Sequence, residues 1–276
     1  MHTGSFSVLF IGNSFSECTC AYLYDVLTAL GVPSFHVAAL KISAATIDMH
    51  WSNAQNDAPA YLFYRYTISG DRETVSASCT LREGLSSCQW DWVVFADGSA
   101  SLGSLSGCAN LPHLVDYVKG LTTPRKTKFA FNMTWPWELG YKKYADFFDG
   151  SPDVMFRRIV SGVQNAMLAN PDITCVLPNG TAIRSALLSG RAPALYRDGS
   201  HLNANGCFMA SLTTAYTLLK HTDGFRHHDI GHLPCLPTSP HRTNGSFIGN
   251  LEPGYSDLFL ESVVSALEKP FGDAKT

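Results

Sequence analysis

The chain has 276 residues, 45% of them hydrophobic and 16% charged, with a formal net charge of −3. This is the balance of an ordinary globular protein long enough to bury a three-layer core, and with no block of Lys or Arg it excludes the clustered basic face that a nucleic acid or an anionic membrane would require. No segment approaches the apolar length that spans a bilayer, so the chain is expected to be soluble, cytoplasmic as it stands or secreted or periplasmic if a leader was removed ahead of it.

The first element is a β-branched and aromatic run, Ser7-Val8-Leu9-Phe10-Ile11, which passes directly into Gly12-Asn13-Ser14-Phe15-Ser16. Followed by helical periodicity from Ala21 to Leu30, it predicts a strand, a turn and a helix with Ser14 displayed at the strand end. Further strand runs lie at Phe35 to Leu40, Trp92 to Phe95, Lys128 to Phe131 and Thr174 to Leu177. Helical patterns lie at Leu111 to Leu121, Val154 to Ala169 and Asn205 to Lys220. Strands alternating with helices make βαβ units, so the expected fold class is α/β, a three-layer α/β/α sandwich around a mainly parallel sheet.

Two segments break the alternation. Residues 61–89 carry an alternating aromatic run, a Ser-Gly-Asp turn and a polar, Thr-rich stretch, which predicts an inserted β-hairpin or lid beside the sheet. Residues 223–276 read as a loop-rich C-terminal extension that ends in a helix from Ser256 to Leu267. The whole of 1–276 is read as one domain without internal repeats.

Eight cysteines, at 18, 20, 79, 88, 108, 175, 207 and 235, occur in a chain too large to need disulfide staples and are expected to be mostly free, buried thiols. Cys79 and Cys88 flank the excursion and could form one bridge in an exported protein. His227, His228, His232 and His241 with Cys235 lack a regular ligand spacing and read as a solvated tail.

In a doubly wound sheet, ligands sit at the carboxyl ends of the strands, where Ser14 falls. A serine hydroxyl needs an imidazole to take its proton and a carboxylate to hold that imidazole. Tyr196-Arg197-Asp198-Gly199-Ser200-His201-Leu202-Asn203 supplies both, with Asp198 and His201 three apart and Asn203 placed to cap the following helix. Alone, either motif is an ordinary turn sequence. Their order and topological positions make them a pair.

At these residues the sequence resembles the SGNH, or GDSL-like, hydrolase superfamily, and within it the DUF4886 group of bacterial proteins. Gly12-Asn13-Ser14 matches the superfamily's first block, and Asp198-Gly199-Ser200-His201 its last. The resemblance to the smaller group rests on Ile11-Gly12-Asn13-Ser14-Phe15-Ser16, His50-Trp51, Trp90-Asp91-Trp92-Val93-Val94, Met133-Thr134-Trp135 and Tyr196 to Leu202, and spans about residues 5 to 270. It implies a flavodoxin-like sandwich in which Ser14 is the nucleophile, His201 the base and Asp198 its orienting acid.

The two middle blocks depart from the pattern. The superfamily holds the oxyanion with the nucleophile's N–H, a glycine N–H of the second block and an asparagine side chain of the third. The second block falls near Ser43-Ala44-Ala45-Thr46, where Ala44 stands for glycine. The third follows Phe95 as Ala96-Asp97-Gly98-Ser99, with no asparagine. The candidate oxyanion donors are therefore Ser14, Ala44, Ser99 and Asn132. Asp97 could donate only if protonated.

Around them, Asn13, His50, Trp51, Trp135 and Trp137 are candidate substrate-binding residues. His50-Trp51 could equally be a packed pair, and the two later tryptophans could equally be core. The implied activity is a serine esterase that removes a small acyl group, such as acetyl, from a carbohydrate through an acyl-enzyme. Alternatives are an esterase or lipase acting on other small or lipid esters, an acyltransferase, and a catalytically weak fold used for ligand binding. No metal or cofactor, no nucleic acid and no membrane span are expected; the partner is a small-molecule or carbohydrate ester.

Overall fold

A computed structural model describes residues 6–68, 71–104, 108–122, 126–143, 148–222, 242–243 and 246–272. In chain order the elements are β1 (Phe6–Gly12), α1 (Ser14–Cys20), α2 (Leu23–Ala29), β2 (Phe35–Lys41) and α3 (Ile47–Gln55). Next come β3 (Tyr61–Tyr66), β4 (Arg72–Cys79), α4 (Leu81–Ser86), β5 (Trp92–Ala96), α5 (Ser99–Leu102), α6 (Leu111–Leu121) and β6 (Lys128–Asn132). The chain continues with α7 (Pro152–Ala169), β7 (Ile173–Leu177), α8 (Asn179–Leu188), α9 (Ala204–Lys220) and α10 (Ser256–Glu268).

Among the described residues, seven strands form one sheet in the order β4-β3-β2-β1-β5-β6-β7, and two short strands, Arg242–Thr243 and Ser246–Phe247, pair antiparallel with each other. β1 pairs in parallel with both β2 and β5, and β6 and β7 continue the parallel run. The winding therefore reverses between β1 and β5, and this switch point is where an open α/β sheet leaves a crevice. Every residue of β1 and β5 is buried, as a strand covered on both faces requires. The alternation of the pleat then divides the interior. Phe6, Val8, Phe10, Trp92 and Val94 pack under α1, α2, α8, α9 and α10, while Leu9, Ile11, Val93 and Phe95 pack under α3 to α7. This is the expected three-layer sandwich.

The excursion at 61–89 is a hairpin, and it is built into the sheet. β3 pairs antiparallel with β2 and β4 with β3, so the hairpin forms the sheet's outer edge. The chain then turns into α4 through a capping box in which Thr80 and Glu83 each bond the other's backbone N–H.

Two other elements differ from the sequence expectation. The helical pattern at 21–30 starts early, at Ser14 itself, and is broken at Ala21–Tyr22 into α1 and α2. α8 was not among the helices expected from the sequence. Gly180 is needed there for close approach, since a Cβ would lie 2.1 Å from the Thr134 carbonyl oxygen.

The seven cysteines among the described residues are unpaired thiols, Cys79 and Cys88 included. Cys235 and the four tail histidines lie outside the described residues. Among the described residues no helix is long and apolar enough to cross a membrane.

Candidate active site

β1 ends against α1 so closely that a Cβ at Gly12 would lie 2.1 Å from Ser16 Oγ. Asn13 then caps α1, its Oδ1 accepting from Phe15 N–H at 2.9 Å. Ser14, partly exposed, follows at the carboxyl edge of the sheet. Its Oγ lies 2.8 Å from Nε2 of His201, whose Nδ1 lies 2.8 Å from Oδ2 of Asp198. A carboxylate at Nδ1 favours the tautomer protonated there, which leaves Nε2 free to accept from the Ser14 hydroxyl.

The loop that carries Asp198 and His201 is closed at its base by a bridge between Tyr196 and Leu202 and by Arg197 N–H donating to His201 O at 2.9 Å. Gly199 turns it with φ +85°, and a Cβ there would lie 2.3 Å from the Tyr141 ring. Asp198 Oδ1 accepts from Ser200 N–H at 3.0 Å, Ser200 Oγ at 3.0 Å and His201 N–H at 2.8 Å. Burial alone would raise the Asp198 pKa, but the N–H groups of His201 and Ser200 and the imidazole outweigh it and hold the carboxyl down at about 2. Asn203 caps α9, accepting from Gly206 N–H at 3.2 Å, as the sequence predicts.

Ala44 sits in an exposed turn with φ +55°, a left-handed conformation that normally selects glycine. The N–H groups of Ser14 and Ala44 have no acceptor among the described residues. Asn13 joins the two turns, because its buried Nδ2 donates to Ala45 O at 2.8 Å. With both ends of its amide engaged, Asn13 belongs to the frame of the site and is not offered to a ligand.

The other two candidate oxyanion donors are committed elsewhere. Ser99 is buried and its hydroxyl donates to Thr134 Oγ1 at 3.0 Å. Asn132 ends β6 but faces the helices, accepting from Asn179 Nδ2 at 2.8 Å and donating to Thr19 Oγ1 at 3.3 Å. Asp97 is fully buried and its oxygens are taken by the N–H groups of Ile47 and Gly98 and the Ser101 hydroxyl. Burial dominates those bonds and raises its pKa to about 6.

The aromatic candidates pack in or against the core. His50 is buried with Nδ1 3.0 Å from Tyr61 OH, and burial lowers its pKa to about 3. Trp51 stacks on His113 between α3 and α6, in the layer opposite α1. Trp137 packs edge-on against Tyr141 and Phe148. Trp135 is buried, and its indole N–H donates to Ser200 O at 2.9 Å. A residue the sequence did not single out, Phe15, stacks on the His201 ring at 5.5 Å. Its place beside Ser14 was visible, but nothing in one dimension sets it against a loop so far along the chain.

Among the described residues no three His, Cys, Asp or Glu side chains gather as a metal site would need. A search of curated proteins returns no match. Among solved structures, a DUF4886 family protein from Bacteroides uniformis aligns with TM-score 0.82 at 24% identity, over 97% of this chain and 96% of that one. A Slackia heliotrinireducens protein provisionally described as an SGNH hydrolase aligns with TM-score 0.53 at 21% identity, over 78% and 100%. A variant of an acetyl xylan esterase from Geobacillus stearothermophilus gives TM-score 0.51 at 17% identity, over 83% and 100%. At such identities the likeness is one of fold, which is that of SGNH hydrolases and esterases. The family model described as "Domain of unknown function (DUF4886)" matches residues 7–226, the stretch that runs from β1 through Ser14 and past His201, and the chain belongs to that family.

Proposed function

We propose that this protein is a serine esterase that works through an acyl-enzyme. The observation that carries the reading is the unbroken hydrogen-bonded chain Ser14–His201–Asp198, with 2.8 Å at each link. In this mechanism Ser14 Oγ attacks the ester carbonyl while Nε2 of His201 takes its proton. Asp198, ionised well below neutral pH, holds the imidazole and stabilises the imidazolium that forms. The protonated ring then gives its proton to the leaving alcohol, and water repeats the sequence to release the acid.

The N–H groups of Ser14 and Ala44 bind the developing oxyanion. The third donor of the wider superfamily has no counterpart in Ser99 or Asn132, and loss of one donor costs about 10²–10³ in kcat. A modest turnover is therefore expected. A site that is partly open at both Ser14 and His201 suits a small acyl group carried on a bulky polar alcohol. The fold shared with an acetyl xylan esterase supports acetyl on a carbohydrate. The buried Trp135 and Trp137 supply no stacking platform for that sugar.

Turnover of p-nitrophenyl acetate by wild type, Ser14→Ala and His201→Ala, with intact-mass detection of fluorophosphonate labelling, tests the reading. Activity and labelling should vanish in Ser14→Ala, and the rate should fall at least about 10³-fold in His201→Ala. Equal trace activity in all three proteins would overturn it and favour a ligand-binding role.

A further inference from the structure

We propose that Trp135 is a positioning residue for His201, acting on it by two routes, an inference that rests on the esterase reading above. The first route is the peptide between Ser200 and His201. Its carbonyl accepts from Trp135 Nε1 at 2.9 Å, and its N–H donates to Asp198 Oδ1 at 2.8 Å. That peptide plane is held on both sides, so the imidazole leaves the backbone in a fixed direction.

The second route is Phe15. Its ring meets Trp135 edge-on, with centroids 5.2 Å apart and planes at 62°, and stacks on His201 at 5.5 Å and 25°. Phe15 follows Ser14 directly, so the nucleophile's neighbour lies between the indole and the imidazole. Trp135 thus braces the base through the loop and the base's stacking partner through ring contact.

The indole can do this because its own backbone is fixed. Met133 N–H donates to Leu177 O at 3.1 Å, and Gly180 N–H donates to Met133 O at 2.9 Å. Thr134 accepts from Ser99 Oγ at 3.0 Å. β7, α8 and α5 therefore all grip the segment that ends in Trp135. A buried tryptophan usually finds one acceptor for its N–H. Here that acceptor is the carbonyl adjoining the histidine that contacts Ser14.

The test compares Trp135→Phe with Trp92→Phe. Trp92 lies in the same layer and donates to Thr222 Oγ1 at 2.9 Å, so its variant loses an equivalent bond away from the site. The readouts are kcat and KM on p-nitrophenyl acetate, and the NMR signal of the His201 Nδ1 proton together with the ring's titration. Trp135→Phe should lower kcat about 10–100-fold with KM little changed, and should weaken the Nδ1 proton signal or shift the titration. Trp92→Phe should do neither.

A folded Trp135→Phe whose His201 signal and titration match wild type overturns the proposal. If Trp135→Phe does not fold, site-specific replacement of Trp135 by β-(3-benzothienyl)alanine removes the N–H and keeps the shape, and the same signals decide. If wild type shows no Ser14-dependent turnover, the esterase reading falls, and the His201 signal still decides the positioning.

Discussion

Ala44 is one of five non-glycine residues among the described residues that hold a left-handed backbone, and it lies beside the candidate site. A side chain in the left-handed region costs about 1–2 kcal/mol that glycine does not pay, and Ala44 stands there at φ +55°. The turn keeps its shape because Asn13 Nδ2 holds Ala45 O and because Ala45 N–H bonds Ile42 O at 3.3 Å. Strain of this kind, at an exposed residue whose N–H has no acceptor among the described residues, suits a preorganised donor. Ala44→Gly should relieve it, with part of the gain offset by the greater freedom of glycine in the unfolded chain, for a net stabilisation of up to about 1 kcal/mol. Urea unfolding measures this directly. A midpoint lower than wild type would mean that the turn is not strained by its Cβ.

α1 carries Ser14 on one side and a buried charge cluster on the other. Glu17 is buried and bonds Lys41 Nζ at 2.9 Å, and it also pairs with Arg72 from β4, whose guanidinium lies 4.0 Å from the Tyr64 ring centre. The edge hairpin, β2 and the helix that starts at Ser14 are thus fastened at one carboxylate. Glu17→Gln leaves the buried ammonium without its counter-charge and should cost about 3–5 kcal/mol, read as a lowered unfolding midpoint. A loss under 1 kcal/mol would show that the cluster contributes little. Nothing in the sequence pairs Glu17 with Lys41 and Arg72, and this marks the boundary of what one dimension discloses. The apolar strands β1, β2, β5, β6 and β7 were legible because a strand buried on both faces needs a continuous hydrophobic run. α7 and α9 were legible from their length and periodicity, and Ser14, Asp198 and His201 from spacing and strand-end position. Asn132 was misread, and Trp135 left open between cleft and core, because a polar or aromatic residue at a strand end looks alike whether it faces the cleft or the interior. For Asn132 the direction is set by Asn179 at the start of α8, a helix not expected from the sequence.

Three buried or hydrogen-bonded groups, spread over both layers, make the stability of the entire fold depend on pH in opposing senses. His50 is held neutral by burial with its pKa lowered to about 3. Its unfolded form, near 6.5, binds protons first, so its contribution is full above pH 6.5 and is lost as pH falls towards 3. Asp97 runs the other way. Burial raises its carboxyl to about 6, above the unfolded value near 4, so the folded state gains stability as pH falls from 6 to 4. Each slope is about 1.4 kcal/mol per pH unit at most, and between pH 6 and 4 the two nearly cancel. Below pH 4 the Asp97 gain is exhausted while the His50 loss continues. Asp198, held at about 2, then adds a smaller, solvent-screened loss because its side chain is about half exposed. Asp97→Asn removes only the compensating group. Relative to wild type, this variant should lose about 1.4 kcal/mol per unit between pH 6 and 4, which urea unfolding at a series of pH values resolves whatever the absolute stability of the variant. Parallel profiles for the two proteins would mean that Asp97 does not titrate in that window.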